Sequence, residues 1–88
     1  MTLNKNVIYR NIAGEHVLIP VGSEVLEQNG MFVMTDLAAE IWQMLEKGKE
    51  TETIIQELLE EYEVEEGVLR KDVEEFLQKL VTGKLIEL

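Results

Sequence analysis

The stretch Met31-Phe-Val-Met-Thr-Asp-Leu-Ala-Ala-Glu-Ile-Trp-Gln-Met-Leu45 decides the fold. Its first four residues form an unbroken apolar run, and a helical pattern follows with no spacer. Leu37, Ala38, Ile41, Trp42 and Leu45 recur at three- and four-residue intervals and make one apolar stripe of an amphipathic helix. Thr35 or Asp36 supplies its N-cap. Upstream, Asn29-Gly30 is a strong turn pair. Residues 31–34 therefore read as a short strand held between a turn and a helix cap. Alternate side chains of a strand face opposite ways. Either Phe32 and Met34 or Met31 and Val33 enter the core, and the other pair lies outside. A strand this short can stay at the edge of its sheet, and an open edge beside a helix is a docking site for an extended peptide.

Toward the N-terminus, Val7–Ile12 and His16–Val21 read as two strands joined by a turn at Ala13-Gly14, hence a hairpin. Pro20 has no amide donor and must lie at a strand end or face away from the ladder. Gly22 to Asn29 reads as a loop with room for a short strand at Glu24–Glu27. Toward the C-terminus, Lys47-Gly48-Lys49 ends the first helix, with Gly48 suited to a left-handed position after the cap. A second helix starts at Thr51 or Thr53 and presents Ile54, Ile55, Leu58, Leu59 and Tyr62. Val64 is expected as a buried anchor in the connection. A third helix runs from Glu65–Gly67 to about Thr82 with the stripe Leu69, Val73, Phe76, Leu77 and Leu80. Gly83 stops it, and Leu85-Ile86 forms a last short strand or a packed tail. Residues 1–88 thus predict one α+β domain, with a β part at about 7–34 and a helical part at about 35–82. The architecture is a three-stranded antiparallel sheet followed by a three-helix, winged-helix-like bundle.

Composition narrows the function. A chain of 88 residues makes one modest core and has no second domain to form a cleft. It has no cysteine, which excludes disulfides, thiolate nucleophiles and cysteine-held metal clusters. The first twenty residues include Asn4, Lys5, Asn6, Arg10, Asn11 and Glu15 and lack the apolar core of a signal peptide. The longest apolar run, Val17–Val21, is far too short to span a membrane. A soluble, cytoplasmic protein with no membrane partner is expected. The net charge is −10. Glu50, Glu52, Glu57, Glu60, Glu61, Glu63, Glu65 and Glu66 supply most of it, with no base among them. Nucleic-acid binding needs Lys and Arg against phosphate, and the few present here are scattered.

Catalytic patterns are missing. His16 is the only histidine and has no partner for a metal site, so it reads as structural or exposed. Trp42 lies on the helical stripe and reads as core. Adjacent pairs such as Glu60/Glu61 and Glu65/Glu66 diverge around a helix and do not converge on a substrate. There is no Ser-His-Asp set, phosphate-binding glycine loop or zinc motif. The chain reads as a non-enzyme with no cofactor and no metal.

Taken in order, the residues resemble a known family. The pattern is Met31-Phe-Val-Met-Thr35-Asp-Leu-Ala38-Ala-Glu-Ile41-Trp42-Gln-Met-Leu45, a glycine, Thr51–Ile55, Leu58-Leu-Glu-Glu-Tyr62-Glu-Val64, Val73-Glu-Glu-Phe76-Leu77 and Gly83-Lys-Leu85. It is similar to the PqqD-like family, which includes coenzyme PQQ synthesis protein D and the recognition elements for RiPPs, ribosomally made and post-translationally modified peptides. The resemblance spans nearly the whole chain and rests on apolar and small residues rather than on a catalytic motif. One departure is Met34-Thr35-Asp36, where the family often has Leu-Asn before the first helix. Thr or Asp caps equally well, and a stand-alone element from another peptide-modification pathway fits as well as PQQ synthesis.

The resemblance implies a non-catalytic adaptor that binds the leader segment of a ribosomally made precursor peptide. The leader adds as a strand on the third predicted strand, in a groove against the third helix. The adaptor then presents the peptide to a modifying enzyme, often a radical SAM protein. Carried onto this sequence, the peptide-binding candidates are Met31, Phe32, Val33 and Met34 on the strand. On the helix they are Val68, Lys71, Asp72, Glu75, Phe76 and Lys79, with Val68 and Phe76 as an apolar floor. Ordinary ion pairs Lys71–Glu75 and Glu75–Lys79 would otherwise occupy that flank. The alternative function is a winged-helix transcriptional regulator or another interaction module. Its third helix would carry Glu66, Asp72, Glu74 and Glu75 against Arg70, Lys71 and Lys79, a poor surface for DNA. The open edge also lets two copies pair edge to edge or swap strands into a homodimer.

Overall fold

The computed structural model describes residues 2–20 and 32–87. Its elements are β1 (Thr2–Leu3), β2 (Val7–Ile12), β3 (Glu15–Pro20), β4 (Phe32–Met34), α1 (Asp36–Glu46), α2 (Thr51–Glu61), α3 (Glu66–Thr82) and β5 (Ile86–Glu87). Strands β2, β3 and β4 form an antiparallel sheet in that order. The three helices follow, so the expected α+β architecture is present. Met31, the Asn29-Gly30 turn and the loop with its short strand at Glu24–Glu27 lie outside the described residues, as does Val21.

The β2–β3 hairpin closes on Ala13 and Gly14, whose φ angles of 53° and 87° define a two-residue turn of the mirror-image kind that matches strand twist. Asn11 supports it by accepting the Gly14 amide on Oδ1 at 3.1 Å. The second strand starts at Glu15, one residue before the expected His16, because so tight a turn leaves no spacer. It ends at Pro20, where a missing amide matters least.

Thr35 is the N-cap of α1. Its backbone is extended and its hydroxyl accepts the Ala38 amide at 3.1 Å. Thr35→Ala should lower stability by about 1 kcal/mol, read as a fall in Tm of roughly 4–8 °C for a domain this small. At the other end Gly48 takes φ +82°, the left-handed conformation expected of it. At the end of α3 the left-handed residue is Lys84, at φ 61°, while Gly83 stays at φ −81°. Gly83 is buried in the last turn, and Lys84 makes the reversal that sends Leu85 and Ile86 back into the core.

Two features run against sequence expectation. Val64 is 44% exposed rather than an anchor, because the backbone is extended at both Tyr62 and Glu65 and lifts the connection away from the core. Leu69, one turn into α3, is buried. Tyr62 lies beyond the last turn of α2 instead of on its apolar face, with its hydroxyl donating to Glu40 Oε1 at 3.0 Å. The last short strand expected at Leu85-Ile86 is present at Ile86–Glu87, but its pairing with β1 was not foreseen. The pairing joins the two ends of the chain through Thr2–Glu87 and Leu3–Ile86, aided by Asn4, whose amide and side chain donate to the carbonyls of Leu85 and Lys84.

The core lies between one face of the sheet and the three helices. Leu18 and Met34 come from the sheet; Ile41, Trp42 and Leu45 from α1; Ile54, Ile55 and Leu58 from α2; Leu69, Val73 and Leu80 from α3. Arg70 ties α3 to α2 through two bonds to Glu52 (2.5 and 3.1 Å) and one to Glu66 at 3.1 Å. That fork orients the helix whose other side forms the wall of the site.

Candidate functional site

Among the described residues, strand β4 pairs with β3 on one side only. The hairpin turn fixes which backbone groups its open side offers. A two-residue turn closes with a hydrogen bond between Ile12 and Glu15, so the pairs Ile12–Glu15, Arg10–Val17 and Ile8–Ile19 are the hydrogen-bonded ones. Val17 therefore directs its N–H and C=O toward β2. Across the sheet Val17 stands opposite Val33, and this pair is not hydrogen-bonded. Val33 thus points its N–H and C=O to the free edge, whereas Phe32 and Met34 bond to β3. Side chains alternate the other way. Met34 is buried, Phe32 is half-buried and Val33 is 59% exposed. Of the two pairings left open by the sequence, Phe32 and Met34 face inward.

Beside this edge is an open cavity of about 300 Å³. Phe32, Val33 and Thr35 bound it from the strand and cap, Leu37, Ala38 and Ile41 from α1, and Asp72, Glu75, Phe76 and Lys79 from α3. Its floor is the tilted pair Phe32–Phe76, with ring centroids 6.4 Å apart. Spacings of three and four residues put Asp72, Glu75, Phe76 and Lys79 on one face of α3. The structure gathers six of the ten sequence candidates here: Phe32, Val33, Asp72, Glu75, Phe76 and Lys79. Met34 turns into the core. Val68 lies on the same helical face one turn before the cavity and is not part of its wall. Lys71 does not line the cavity. Met31 lies outside the described residues. The ion pairs Lys71–Glu75 and Glu75–Lys79 do not form among the described residues, so Asp72, Glu75 and Lys79 face the cavity rim without a charge partner.

Sequence reasoning missed Thr35, Leu37, Ala38 and Ile41 as lining residues. All four were read for their structural roles, as cap or core stripe. The usable signal was Ala38, a small side chain on an apolar stripe, which leaves space beside the strand.

A second network fixes the angle between hairpin and helix. The Tyr9 hydroxyl meets His16 Nδ1 at 2.5 Å, and His16 Nε2 meets Asp36 Oδ1 at 2.8 Å. The neutral tautomer with its proton on Nε2 satisfies both contacts: the imidazole donates to Asp36 and accepts from Tyr9. Asp36, in the first turn of α1, also suits the positive end of the helix dipole. This agrees with a structural role for His16.

Farther off, Glu61 lies against Glu40, and a hydrogen bond between the two carboxyls, reinforced by their like charge, raises the Glu61 carboxyl above the usual value. The same Glu40 raises the Tyr62 hydroxyl. Glu52 moves the opposite way, lowered by its bond to Arg70. A raised carboxyl favours the protonated native state, so its contribution is present at acid pH and is lost as pH rises through the raised value. Glu52 contributes above the usual carboxylate range and loses that contribution as pH falls. Glu61→Gln should therefore raise Tm slightly at pH 7, with the difference from the unmutated protein shrinking as pH falls below the raised value. A melting series over that fall in pH checks it; an equal shift at both ends would show that the carboxyl contact is not the cause.

Fold and site together define a small α+β module in which, among the described residues, an unpaired sheet edge lies beside a helical groove. The chain belongs to the family of coenzyme PQQ synthesis protein D (PqqD), whose model matches residues 15–86. It is also similar to the solved structure of TbiB1 in complex with the TbiA(beta) leader peptide, at 28% identity and a TM-score of 0.82. That similarity covers 99% of this chain and 95% of TbiB1. No match is found among curated proteins. Among the described residues no helix is long and apolar enough to cross a membrane.

Proposed function

We propose that this chain is a non-catalytic, single-domain adaptor of the cytoplasm that binds the leader segment of a ribosomally made precursor peptide. It presents that peptide to a modifying enzyme, such as a radical SAM protein, in PQQ-type or other peptide natural-product biosynthesis. The observation that carries this reading is the free edge of β4 at Val33, lying directly beside the cavity under α3. Family membership and the likeness to a leader-peptide complex support it.

The geometry specifies how the leader would bind. A strand added at β4 pairs one residue with Val33 through two backbone bonds, which need no particular side chain. The next residue along lies on the inward face, as Phe32 does, and its side chain enters the cavity. An apolar side chain suits the Phe32–Phe76 floor and the Leu37, Ala38 and Ile41 wall. Asp72 and Glu75 favour a cationic neighbour, and Lys79 an anionic one. A basic leader would bind less tightly as salt increases.

Calorimetric titration with the leader segments of short reading frames beside the gene tests the proposal. One leader should bind one-to-one with micromolar or tighter affinity. If the folded, monomeric protein binds none of them, the adaptor role fails. A second copy is the competing occupant of the edge, by edge-to-edge pairing or strand swapping. Size-exclusion chromatography with and without leader separates the two, because an edge-paired dimer must dissociate when the leader binds.

A further inference from the structure

Among the described residues five large apolar side chains stand exposed, and three of them lie within seven residues. These are Tyr62, Val64 and Val68 at the elbow between α2 and α3. The core does not require them: α2 buries Ile54, Ile55 and Leu58, and α3 buries Leu69, Val73 and Leu80. Single exposed apolar residues are ordinary, but a concentration of them marks a contact surface. The same elbow is strongly acidic. Glu60, Glu61, Glu63, Glu65 and Glu66 interleave with the apolar residues, and no Lys or Arg stands between Lys49 and Arg70. Arg70 neutralises Glu66. Glu60, Glu63 and Glu65 have no cationic partner among the described residues, and Glu61 abuts Glu40 rather than a base.

This inference rests on the adaptor reading. We propose that the α2–α3 elbow is a second binding surface, separate from the peptide groove. It docks the modifying enzyme through a patch of arginine or lysine set among apolar side chains. Charge complementarity selects that occupant. A second copy would bring two acidic elbows together across a two-fold axis. Nucleic acid and anionic membranes are repelled by the same charge. The leader is disfavoured because the elbow carries no strand: the amides of Tyr62 and Val64 already donate to the carbonyls of Leu58 and Tyr62. The elbow adjoins the groove, since Val68 shares a helical face with Asp72, Glu75, Phe76 and Lys79. An enzyme held there sits at the mouth of the groove.

The test uses the full chain, the leader that binds it and the purified peptide-modifying enzyme encoded beside the gene. Two variants probe the elbow: Tyr62→Ser with Val64→Ser, and Glu61→Gln with Glu63→Gln and Glu65→Gln. Each should weaken association with the enzyme by at least about tenfold and leave leader affinity within about twofold. The charge variant should also flatten the salt dependence of enzyme binding. Melting curves confirm that both variants fold. The proposal is overturned if the enzyme binds both variants as tightly as the unmutated chain, or binds no form of it. It is equally overturned if leader affinity falls in step with enzyme affinity, because the elbow would then belong to the groove. Failure of every leader to bind the unmutated chain is a separate result, and it removes the adaptor reading itself.

Discussion

Val33→Pro should weaken leader binding by about 10- to 100-fold while the protein stays folded. The strand register dictates this outcome. Proline removes one amide donor, and at Val33 that donor points to the open edge rather than to β3. A leader strand would lose one backbone bond and leave a carbonyl unpaired, a combined loss of about 1.4–2.7 kcal/mol. The fold tolerates the change because proline is admissible on edge strands. Phe32, the residue before it, is already extended, as a residue preceding proline prefers. The neighbours are the controls. Phe32→Pro and Met34→Pro remove donors that face β3 and should destabilise the sheet itself. The readouts are leader titration and thermal melting on all three variants. A folded Val33→Pro protein that binds leader as tightly as before would refute strand addition at β4. A Val33→Pro protein that unfolds, with Met34→Pro stable, would mean that the register is shifted by one residue.

The junction between β4 and α1 was legible because two signals coincide there: a change from continuous to 3–4 apolar spacing, and a threonine suited to capping. Both are local and depend on residues a few positions apart. The helical stripes were readable for the same reason, and Trp42 and Val73 are buried as their spacing requires. What failed was non-local. Thr2–Leu3 is a two-residue strand with no period to read, and it pairs with the last strand from the opposite end of the chain. Val64 looked like core because it is apolar, yet its burial depends on where the extended backbone at Tyr62 and Glu65 carries it. For the site, the strand and one face of α3 were identifiable, but the sequence could not choose which strand face turns inward. That choice shows in the burial of Met34 against the helices, while the hairpin turn at Ala13 and Gly14 sets which backbone groups reach the open edge. The sequence also could not show that Lys71, next to Asp72, does not line the cavity, since one residue along a helix is a rotation of about 100°.

Filling the cavity from the α1 side gives the second large effect. Ala38→Leu should reduce leader affinity by about 10- to 100-fold and leave stability unchanged or slightly raised. Ala38 is half-buried on the wall, facing a space of about 300 Å³ between α1, Phe32 and Phe76. Leucine adds three carbons in a residue that helices accept almost as well as alanine. In a packed core such an addition would cause strain. Here the new side chain enters open space and covers apolar wall. It therefore competes with the leader side chain that faces inward beside Phe32. Loss of one buried apolar side chain from the complex amounts to about 1.5–3 kcal/mol, which sets the expected range. The decisive version pairs the protein variant with a leader variant. Shortening the inward-facing leader residue to alanine should weaken binding to the unmutated protein but cost little against Ala38→Leu, so the two changes are non-additive. Additive losses would place that leader residue outside the cavity. Full affinity for Ala38→Leu would mean that binding rests on the strand edge alone, with α3 serving only to cover the sheet.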